Sequence, residues 1–169
     1  MKFFETSKYN SFKKSTYISL RWIGIAGQLI AVNFVYYILN FEFNWLFSNI
    51  TIFFGILSNL YLTFIYKKTQ LSDRSAFTFL FIDIFQLGIL IYLTGGVTNP
   101  FVIFLLIPSV FASSNLGLRT NLLLVLFTLI VIILLTFYSN DLPSPLNDHF
   151  HISPYYYFSI PVALIIALI

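Results

Sequence analysis

The sequence predicts an all-α, polytopic membrane protein with six transmembrane helices and with both termini in the cytoplasm. Charged residues make up only 9% of the 169 residues, hydrophobic residues make up 59%, and the mean hydropathy is +0.89. A soluble domain carries about 25% charged residues on average. The apolar residues also form long runs, and about 20 apolar residues suffice to cross the hydrocarbon core as a helix. Most of the surface is therefore expected to contact lipid.

Six such runs follow one another along the chain. They cover residues 17–39, 45–66, 76–94, 101–118, 121–138 and 155–169. A removable signal peptide is disfavoured for the first run, since it is long and no A-x-A-like cleavage site follows it. The expected organisation is a cytoplasmic N-terminal segment, 1–16, followed by a six-helix transmembrane domain, 17–169. Pro108 is expected to bend the fourth helix near its middle.

The placement of charge predicts the orientation of the helices. All nine basic residues fall on one side of a six-span arrangement, at the start of the first run and between runs two and three and runs four and five. These are Lys2, Lys8, Lys13, Lys14, Arg21, Lys67, Lys68, Arg74 and Arg119. The opposite side carries Glu42, Asp141, Asp148, His149 and His151. By the positive-inside rule, the basic side is cytoplasmic.

The last run has 15 residues, 155–169, which make about 22 Å of helix. This length is shorter than the hydrocarbon core of about 30 Å. We therefore expect a truncated last helix, and a fragment whose continuation enters the cytoplasm.

The connector between the third and fourth runs, 93–101, reads LTGGVTNPF. A tight hairpin explains most of it. Gly95 and Gly96 tolerate positive φ and can close a helix. Asn99 is a good N-cap, and Pro100 is a good first helical residue. Phe101 is the one distinctive residue that a hairpin leaves unexplained.

The same connector also has the features of a binding site. It is short and uncharged, so it should stay at the edge of the apolar layer, where its backbone N–H groups, the Asn99 amide and the hydroxyls of Thr94 and Thr98 are available. Tyr92 and Phe101 stand at its ends. Small-molecule sites combine apolar walls with a few placed polar groups. The ligand implied is flat and amphiphilic and enters from the bilayer, and turn and site remain alternatives at this point.

Asp83 is the only charged residue between Arg74 and Arg119, and it lies about 10 Å into the third helix. With about 100° per residue, Thr94 falls within about 20° of Asp83, and Gln86 about 60° away. Asp83, Gln86 and Thr94 thus form a candidate polar face that supports the turn. An intramembrane carboxylate indicates function by default. Polar contacts that hold the helices together are an equally good explanation.

Several functions are excluded or disfavoured. The chain has no cysteine, so disulfides and thiolate metal sites are absent. Basic residues are too few, and too close to apolar runs, for a nucleic-acid interface. There is no phosphate-binding glycine loop, no H-E-x-x-H and no G-x-S-x-G. No catalytic site is therefore predicted. No metal site is predicted either, because His149 and His151 alone are weak support for a metal.

Two strings, LRWIGIAGQ at 20–28 and DIFQLGILIYLTGGVTNPF at 83–101, resemble the membrane domain of the RegB/PrrB/ActS family of redox-responsive sensor histidine kinases. That family has six transmembrane helices, an Arg-Trp near the start of the first, and a GGxxNPF heptapeptide between the third and fourth. The resemblance implies a quinone site, with ubiquinone or a related membrane quinone as ligand. The residues matched are Gly95, Gly96, Asn99, Pro100 and Phe101.

The resemblance also implies what surrounds this domain. It indicates a multi-pass protein of the bacterial inner membrane, a homodimer in contact with membrane lipid, and a cytoplasmic response regulator reached through a kinase part. The phospho-accepting His, the ATP-binding domain and the redox-active Cys of the family would lie beyond residue 169. This chain would then be a non-catalytic fragment of a histidine protein kinase.

In the mechanism that we expect, the backbone N–H groups of Gly95 and Gly96 and the Asn99 amide donate to a quinone carbonyl. The quinone ring packs on Phe101 and Tyr92. Two alternatives remain open. One is a small six-helix transporter or channel-like protein that uses Asp83, and the other is a plain membrane anchor whose hairpin binds nothing.

Overall fold

The computed structural model describes residues 12–138, 140, 142–145 and 153–168, and these are helical almost throughout. The helices are α1 Lys14–Tyr37, α2 Trp45–Leu60, α3 Asp73–Leu93, α4 Leu106–Asn115, α5 Leu118–Phe137 and α6 Pro154–Leu168. A π-helical turn, Tyr61–Ile65, prolongs α2, and two 3-10 segments, Gly96–Thr98 and Pro100–Leu105, join α3 to α4. The all-α prediction is confirmed, and each predicted run corresponds to one helical stretch.

Four of the described helical stretches are long and apolar enough to cross a membrane. They are Lys14–Tyr37, Trp45–Ile65, Asp73–Leu93 and Leu118–Phe137. Two shorter apolar stretches, Pro100–Asn115 and Pro154–Leu168, coincide with the fourth and sixth predicted runs. The count of six membrane crossings and the orientation of the termini stay predictions.

Four two-residue strands tie the connectors together in pairs. They are β1 Phe12–Lys13, β2 Phe41–Glu42, β3 Gln70–Leu71 and β4 Ser144–Pro145. Strand β1 pairs antiparallel with β3, and β2 pairs antiparallel with β4. Each pair joins segments that a six-span arrangement puts on the same side of the membrane. The pairing is therefore compatible with that arrangement.

Helix α3 lies at the centre of the bundle. It packs against α2 on one side and against α4 and α5 on the other, while α1 packs on α2, and α6 packs on α5. Its residues Leu80, Ile84 and Ile91 are buried, together with Ile52 of α2 and Leu124 of α5. A helix that is apolar around its whole circumference is stable only when other helices or lipid surround it. The central position of α3 also fixes where its two ends lie.

Close backbone approach holds α3 against α5. A Cβ added to Gly88 would lie 3.0 Å from Val131 Cγ1, and the rings of Phe81 and Phe127 stack with centroids 4.0 Å apart. Between α4 and α5, the hydroxyls of Ser109 and Thr128 share a buried hydrogen bond of 2.8 Å. Small residues and polar contacts of this kind hold helices together in lipid, where no hydrophobic driving force acts between them.

The position predicted for Arg21 is wrong. Helix α1 begins at Lys14 rather than at residue 17, so Arg21 lies about 10 Å along the helix and does not flank its start. The residue is only 7% exposed. The positive-inside argument thus loses one of its nine charges, and the remaining eight basic residues still share one side of the six-span arrangement.

The irregularity predicted at Pro108 occurs earlier in the chain. The fourth stretch begins as the 3-10 helix Pro100–Leu105, and α4 starts at Leu106. Pro108 is therefore in the first turn of α4, directly after the change from 3-10 to α-helical winding.

The absence of cysteine allows a direct test of orientation. We expect Glu42→Cys to react with a membrane-impermeant maleimide added outside spheroplasts, and Lys68→Cys to react only after the membrane is permeabilised. Both side chains are exposed, so accessibility depends on the side of the membrane rather than on packing. Mass shift on a gel reports the labelling. Labelling of both variants from the same side would contradict the predicted topology.

Candidate functional site

The connector after α3 adopts the turn that its residues predict. Gly95 has φ 115° and Gly96 has φ 57°, a region that side chains with a Cβ rarely adopt. The 3-10 turn Gly96–Thr98 follows, and Asn99 is extended, with φ −69° and ψ 124°. Pro100 is then the first residue of the next helical segment. The two glycines and the Asn-Pro pair therefore end one helix and begin the next.

Asn99 joins the two sides of this turn. Its Oδ1 accepts from the N–H of Phe101 at 2.8 Å, which is the predicted N-cap. Its Nδ2 donates to the carbonyl of Thr94 at 2.8 Å and to Thr94 Oγ1 at 2.7 Å. Both residues are 7% exposed. Because both amide hydrogens have acceptors within the turn, the donation from Asn99 to a ligand that the sequence suggested is not available in this conformation.

The turn contains three further potential donors, the backbone N–H groups of Gly95, Gly96 and Val97. None of the hydrogen bonds among the described residues uses the N–H of Gly95, Gly96 or Val97 as donor. All three residues are buried. A buried N–H group without an acceptor is rare in folded proteins. These groups are the donors that the turn can offer to a bound molecule.

The connector between α5 and α6 lies over the turn. A Cβ added to Gly95 would lie 2.6 Å from Leu142 Cδ1 and 3.0 Å from Leu142 Cα. The N–H of Asn140 donates to the carbonyl of Tyr92 at 3.0 Å. The 3-10 turn also packs on α5 and α6. Gly95 is therefore required both by its φ angle and by the closeness of Leu142.

Exposed aromatic side chains flank the turn. Phe101 is 44% exposed, and its ring lies 5.7 Å from that of Phe104, with 34° between the planes. Tyr92, the last aromatic residue of α3, is 41% exposed. Aromatic rings at this separation offer a surface on which a further flat ring can pack.

Asp83 belongs to a buried network that joins the first three helices. Arg21 Nη2 lies 2.7 Å from Asp83 Oδ1, and Arg21 Nε donates to the same oxygen at 2.9 Å. Tyr17 Oη donates to Asp83 Oδ2. Arg21 Nη2 also donates to Ser58 Oγ of α2 at 3.0 Å. The carboxylate is thus neutralised, and each of its oxygens is hydrogen bonded.

The three residues of the candidate polar face of α3 do not form one site. Gln86 Nε2 donates to Gln28 Oε1 at 3.0 Å, and its carboxamide lies beside Gly55 of α2. Asp83 and Gln86 therefore hold α3 against α1 and α2, as the packing explanation predicts. Asp83 lies about 18 Å along α3 from Gly95. Thr94 alone among the three belongs to the turn.

The sequence argument missed the partners of Asp83. Arg21 and Tyr17 of α1 bond Asp83 directly, and Ser58 of α2 accepts from Arg21. Only Arg21 had a detectable signal. It is a basic residue about 10 Å into α1, where Asp83 is about 15 Å into α3, and an intramembrane carboxylate requires such a partner. His149 and His151 lie outside the described residues. No group of three His, Cys, Asp or Glu that could hold a metal ion occurs among the residues that are described.

Comparison with known proteins identifies relatives. Residues 21–168 match the family described as the PilS-like transmembrane domain. The sensor histidine kinase RegB of Cereibacter sphaeroides is 32% identical over 110 residues, which is 64% of this chain and 24% of that protein. The matched region thus spans about a quarter of this curated relative. No solved structure matches the chain. The resemblance to RegB-like sensors is confirmed, and the chain is a multi-pass protein of the bacterial inner membrane.

Breaking the ion pair should destabilise the bundle. We expect Asp83→Asn to lower the free energy of unfolding by about 3–5 kcal/mol, because it leaves Arg21 buried without a countercharge. The control Gln86→Leu removes one neutral interhelical hydrogen bond, which is worth about 0.6 kcal/mol in lipid. Unfolding in mixed detergent, followed by circular dichroism, measures both. Equal losses would contradict the structural role of the pair.

Gly95→Ala should destabilise the turn by about 1–2 kcal/mol, the cost of left-handed backbone for a residue with a Cβ, and Leu142 must also move. Gly27→Ala in α1 is a matched control, since an added Cβ meets no atom within 4 Å there. Alanine is the better helix former, so the control should retain full stability. Thermal unfolding in detergent compares the two, and equal melting temperatures would argue against a strained turn.

Proposed function

The chain belongs to the family of PilS-like transmembrane domains, and from this membership we propose that it is the membrane sensing domain of a two-component sensor histidine kinase. The ligand that we propose is a membrane quinone, bound at the turn formed by Gly95, Gly96, Asn99, Pro100 and Phe101. The redox state of the quinone is relayed through the helices to a kinase part.

The kinase part of the proposal rests on the relative. The RegB protein is named a sensor histidine kinase, and 24% of its length is matched here. We propose that the present domain is likewise attached to a cytoplasmic kinase, acts as a homodimer, and reaches a response regulator through that kinase. Each of these points concerns a whole protein larger than the matched region.

One observation supports the quinone site above all: the buried N–H groups of Gly95, Gly96 and Val97 have no acceptor among the described residues. A quinone has two carbonyl acceptors, whereas a quinol has hydroxyl groups that also donate. A carbonyl oxygen at this turn would accept from these donors, and a buried donor that lacks an acceptor costs about 1–3 kcal/mol. The exposed ring of Phe101 provides a packing surface on the bilayer side.

Asn99 has a positioning role in this proposal. Its side chain bonds both Thr94 and Phe101, so it holds the ends of the turn at a fixed separation. The backbone N–H groups of Gly95, Gly96 and Val97 lie between these two anchor points in the chain. The donors to the quinone are therefore the backbone groups, and the amide of Asn99 keeps them in place.

The turn is also suited to passing a change on to other helices. It packs on α5 and α6, and Leu142 of their connector covers Gly95. If quinone and quinol bind unequally to two arrangements of these helices, the difference in affinity shifts the population between them. Couplings of about 1–3 kcal/mol are typical, and they change an output by several-fold to about a hundredfold.

Transport through Asp83 has less support than sensing. A proton or cation site needs a carboxylate with a free oxygen facing a path, and both oxygens of Asp83 are bonded to Tyr17 and Arg21. Helices α1, α2 and α3 all contribute to this network. The carboxylate therefore serves the packing of the bundle.

The quinone site is tested by titrating the purified chain in detergent with ubiquinone-1 and measuring the dissociation constant by calorimetry. We expect Phe101→Ala to weaken binding about tenfold, because one ring contact and its buried area are lost. Phe137→Ala is the control, since Phe137 is 70% exposed at the end of α5. Asn99→Ala should weaken binding as well, through loss of the turn geometry.

Equal affinity in the wild type, Phe101→Ala and Asn99→Ala would overturn the site and favour a membrane anchor whose hairpin binds nothing. A redox sensor also requires that the wild type bind one of the two forms, ubiquinone-1 or ubiquinol-1, more tightly than the other. Identical affinities for the two forms would contradict redox sensing at this turn.

A further inference from the structure

We propose that the chain binds the phosphate headgroup of an anionic phospholipid in a hydroxyl-lined cavity between α2 and α3, at the membrane surface that carries Lys67 and Lys68. This α2–α3 cavity lies near the start of α3, at the opposite end from the Gly95 turn. The proposal is therefore independent of the quinone site.

The cavity has a volume of about 440 Å³ and an unusual number of hydroxyl groups in its wall. Five of its lining side chains carry one, namely Ser58, Tyr61, Tyr66, Ser75 and Thr78. Small-molecule sites commonly measure about 300–1,000 Å³. Hydroxyl groups can donate to phosphate oxygens. Tyr66 already donates to Ser75 Oγ and Thr78 to the carbonyl of Arg74, whereas no hydrogen bond among the described residues uses the hydroxyl hydrogens of Ser58 and Tyr61.

The π-helical turn Tyr61–Ile65 shapes one side of the cavity. The N–H of Tyr66 donates to the carbonyl of Tyr61 at 3.2 Å, five residues back. The ring of Tyr61 lies 6.4 Å from that of Phe79 across the cavity, and Tyr66 Oη donates to Ser75 Oγ at 3.1 Å. Single π-helical turns occur often at functional sites. Here the turn brings two tyrosines of the α2 side to face α3.

Arg21 lies directly behind the cavity wall. Its Nη2 donates to Ser58 Oγ, and its Cζ lies 5.9 Å above the ring of Phe79, and both of these residues line the cavity. Asp83 accepts from Nε and Nη2, whereas Nη1 is buried without a hydrogen-bond partner among the described residues. A buried charged donor that lacks an acceptor is costly. A phosphate oxygen that enters past Ser58 would supply the acceptor.

The mouth of the cavity continues into a basic surface. A second concavity of about 510 Å³ is lined by Lys67, Lys68 and Ser72, among others. Ser72 Oγ lies 3.0 Å from Ser75 Oγ, so the two concavities are neighbours. Both lysines are exposed. The nearby carboxylate of Asp73 accepts from the N–H of Gly117, and is thus held toward the α4–α5 connector.

The open, lipid-facing side of the cavity identifies the class of ligand. Tyr61 is 50% exposed and Ile82 is 36% exposed, so an apolar chain can lie along α3 below the headgroup. Basic pockets between transmembrane helices bind anionic headgroups, and each lysine near the surface contributes attraction. The ligand therefore combines a phosphate, a net negative charge and an acyl chain.

The experiment titrates the purified chain in detergent with dioctanoyl phosphatidylglycerol, and with dioctanoyl phosphatidylcholine as the zwitterionic comparison. Native mass spectrometry gives the dissociation constants. We expect phosphatidylglycerol to bind at least tenfold more tightly. Lys67→Gln with Lys68→Gln should weaken its binding about tenfold or more. Lys13→Gln with Arg119→Gln removes the same charge from exposed residues outside both concavities, and should change binding less than twofold.

A second pair of variants separates the cavity from general surface attraction. Ser58→Ala with Tyr61→Phe removes two lining hydroxyls at constant charge, and should weaken phosphatidylglycerol binding at least threefold. Ser113→Ala with Thr136→Val removes two hydroxyls elsewhere, each bonded only to a backbone carbonyl of its own helix, and should have no effect. If Ser58→Ala with Tyr61→Phe fails to fold, Tyr61→Phe alone replaces it, since that change removes only one oxygen.

Three results would overturn the proposal. The first is equal affinity for the two lipids. The second is an equal loss of binding in Lys67→Gln with Lys68→Gln and in Lys13→Gln with Arg119→Gln. The third is unchanged binding after the lining hydroxyls are removed. The first excludes an anionic headgroup, the second indicates attraction to the whole basic surface, and the third puts the headgroup outside the cavity.

Discussion

The ion pair between Arg21 and Asp83 determines how the first three helices pack. In hydrocarbon, each charge must contact its partner directly, because no water is present to solvate it. The pair therefore fixes the depth of α1 relative to α3, and Ser58 brings α2 to the same level. The Gln28–Gln86 hydrogen bond repeats the contact about one turn further along α3. With α3 held in this way, the positions of its two ends are also set.

Both ends of α3 carry backbone polar groups that have no hydrogen-bond partner within the helix. Side chains next to each end bond some of these groups. At the start, Ser72 caps the helix by accepting from the N–H of Ser75 at 3.4 Å. At the other end, Asn99 and Thr94 close the turn, and three backbone N–H groups there have no acceptor among the residues that the structure describes. The proposed quinone and phospholipid sites are the places where these end groups meet lipid. Neither site requires a catalytic residue, which agrees with a sensing role.

The sequence predicts local features of this fold well and tertiary contacts poorly. The turn follows from Gly95, Gly96, Asn99 and Pro100, because positive φ, N-capping and a first-turn proline are properties of single residues. The six helical stretches follow from the six apolar runs along the chain. The contact of Leu142 with Gly95 joins segments far apart in the chain, so no local pattern indicates it. Arg21 was misplaced because a basic residue near a helix start looks the same in sequence whether it faces water or a buried carboxylate.

The 3-10 winding of Pro100–Leu105 has a consequence for the reach of the fourth stretch. A 3-10 helix rises about 2.0 Å per residue and an α-helix about 1.5 Å, so Pro100–Asn115 extends about 27 Å rather than about 24 Å. That is close to the thickness of a thin bilayer core. Rewinding these six residues as α-helix would shorten the segment by about 3 Å along its axis. Because this stretch starts at the turn, its pitch links the vertical position of Phe101 to the depth of α4 in the membrane.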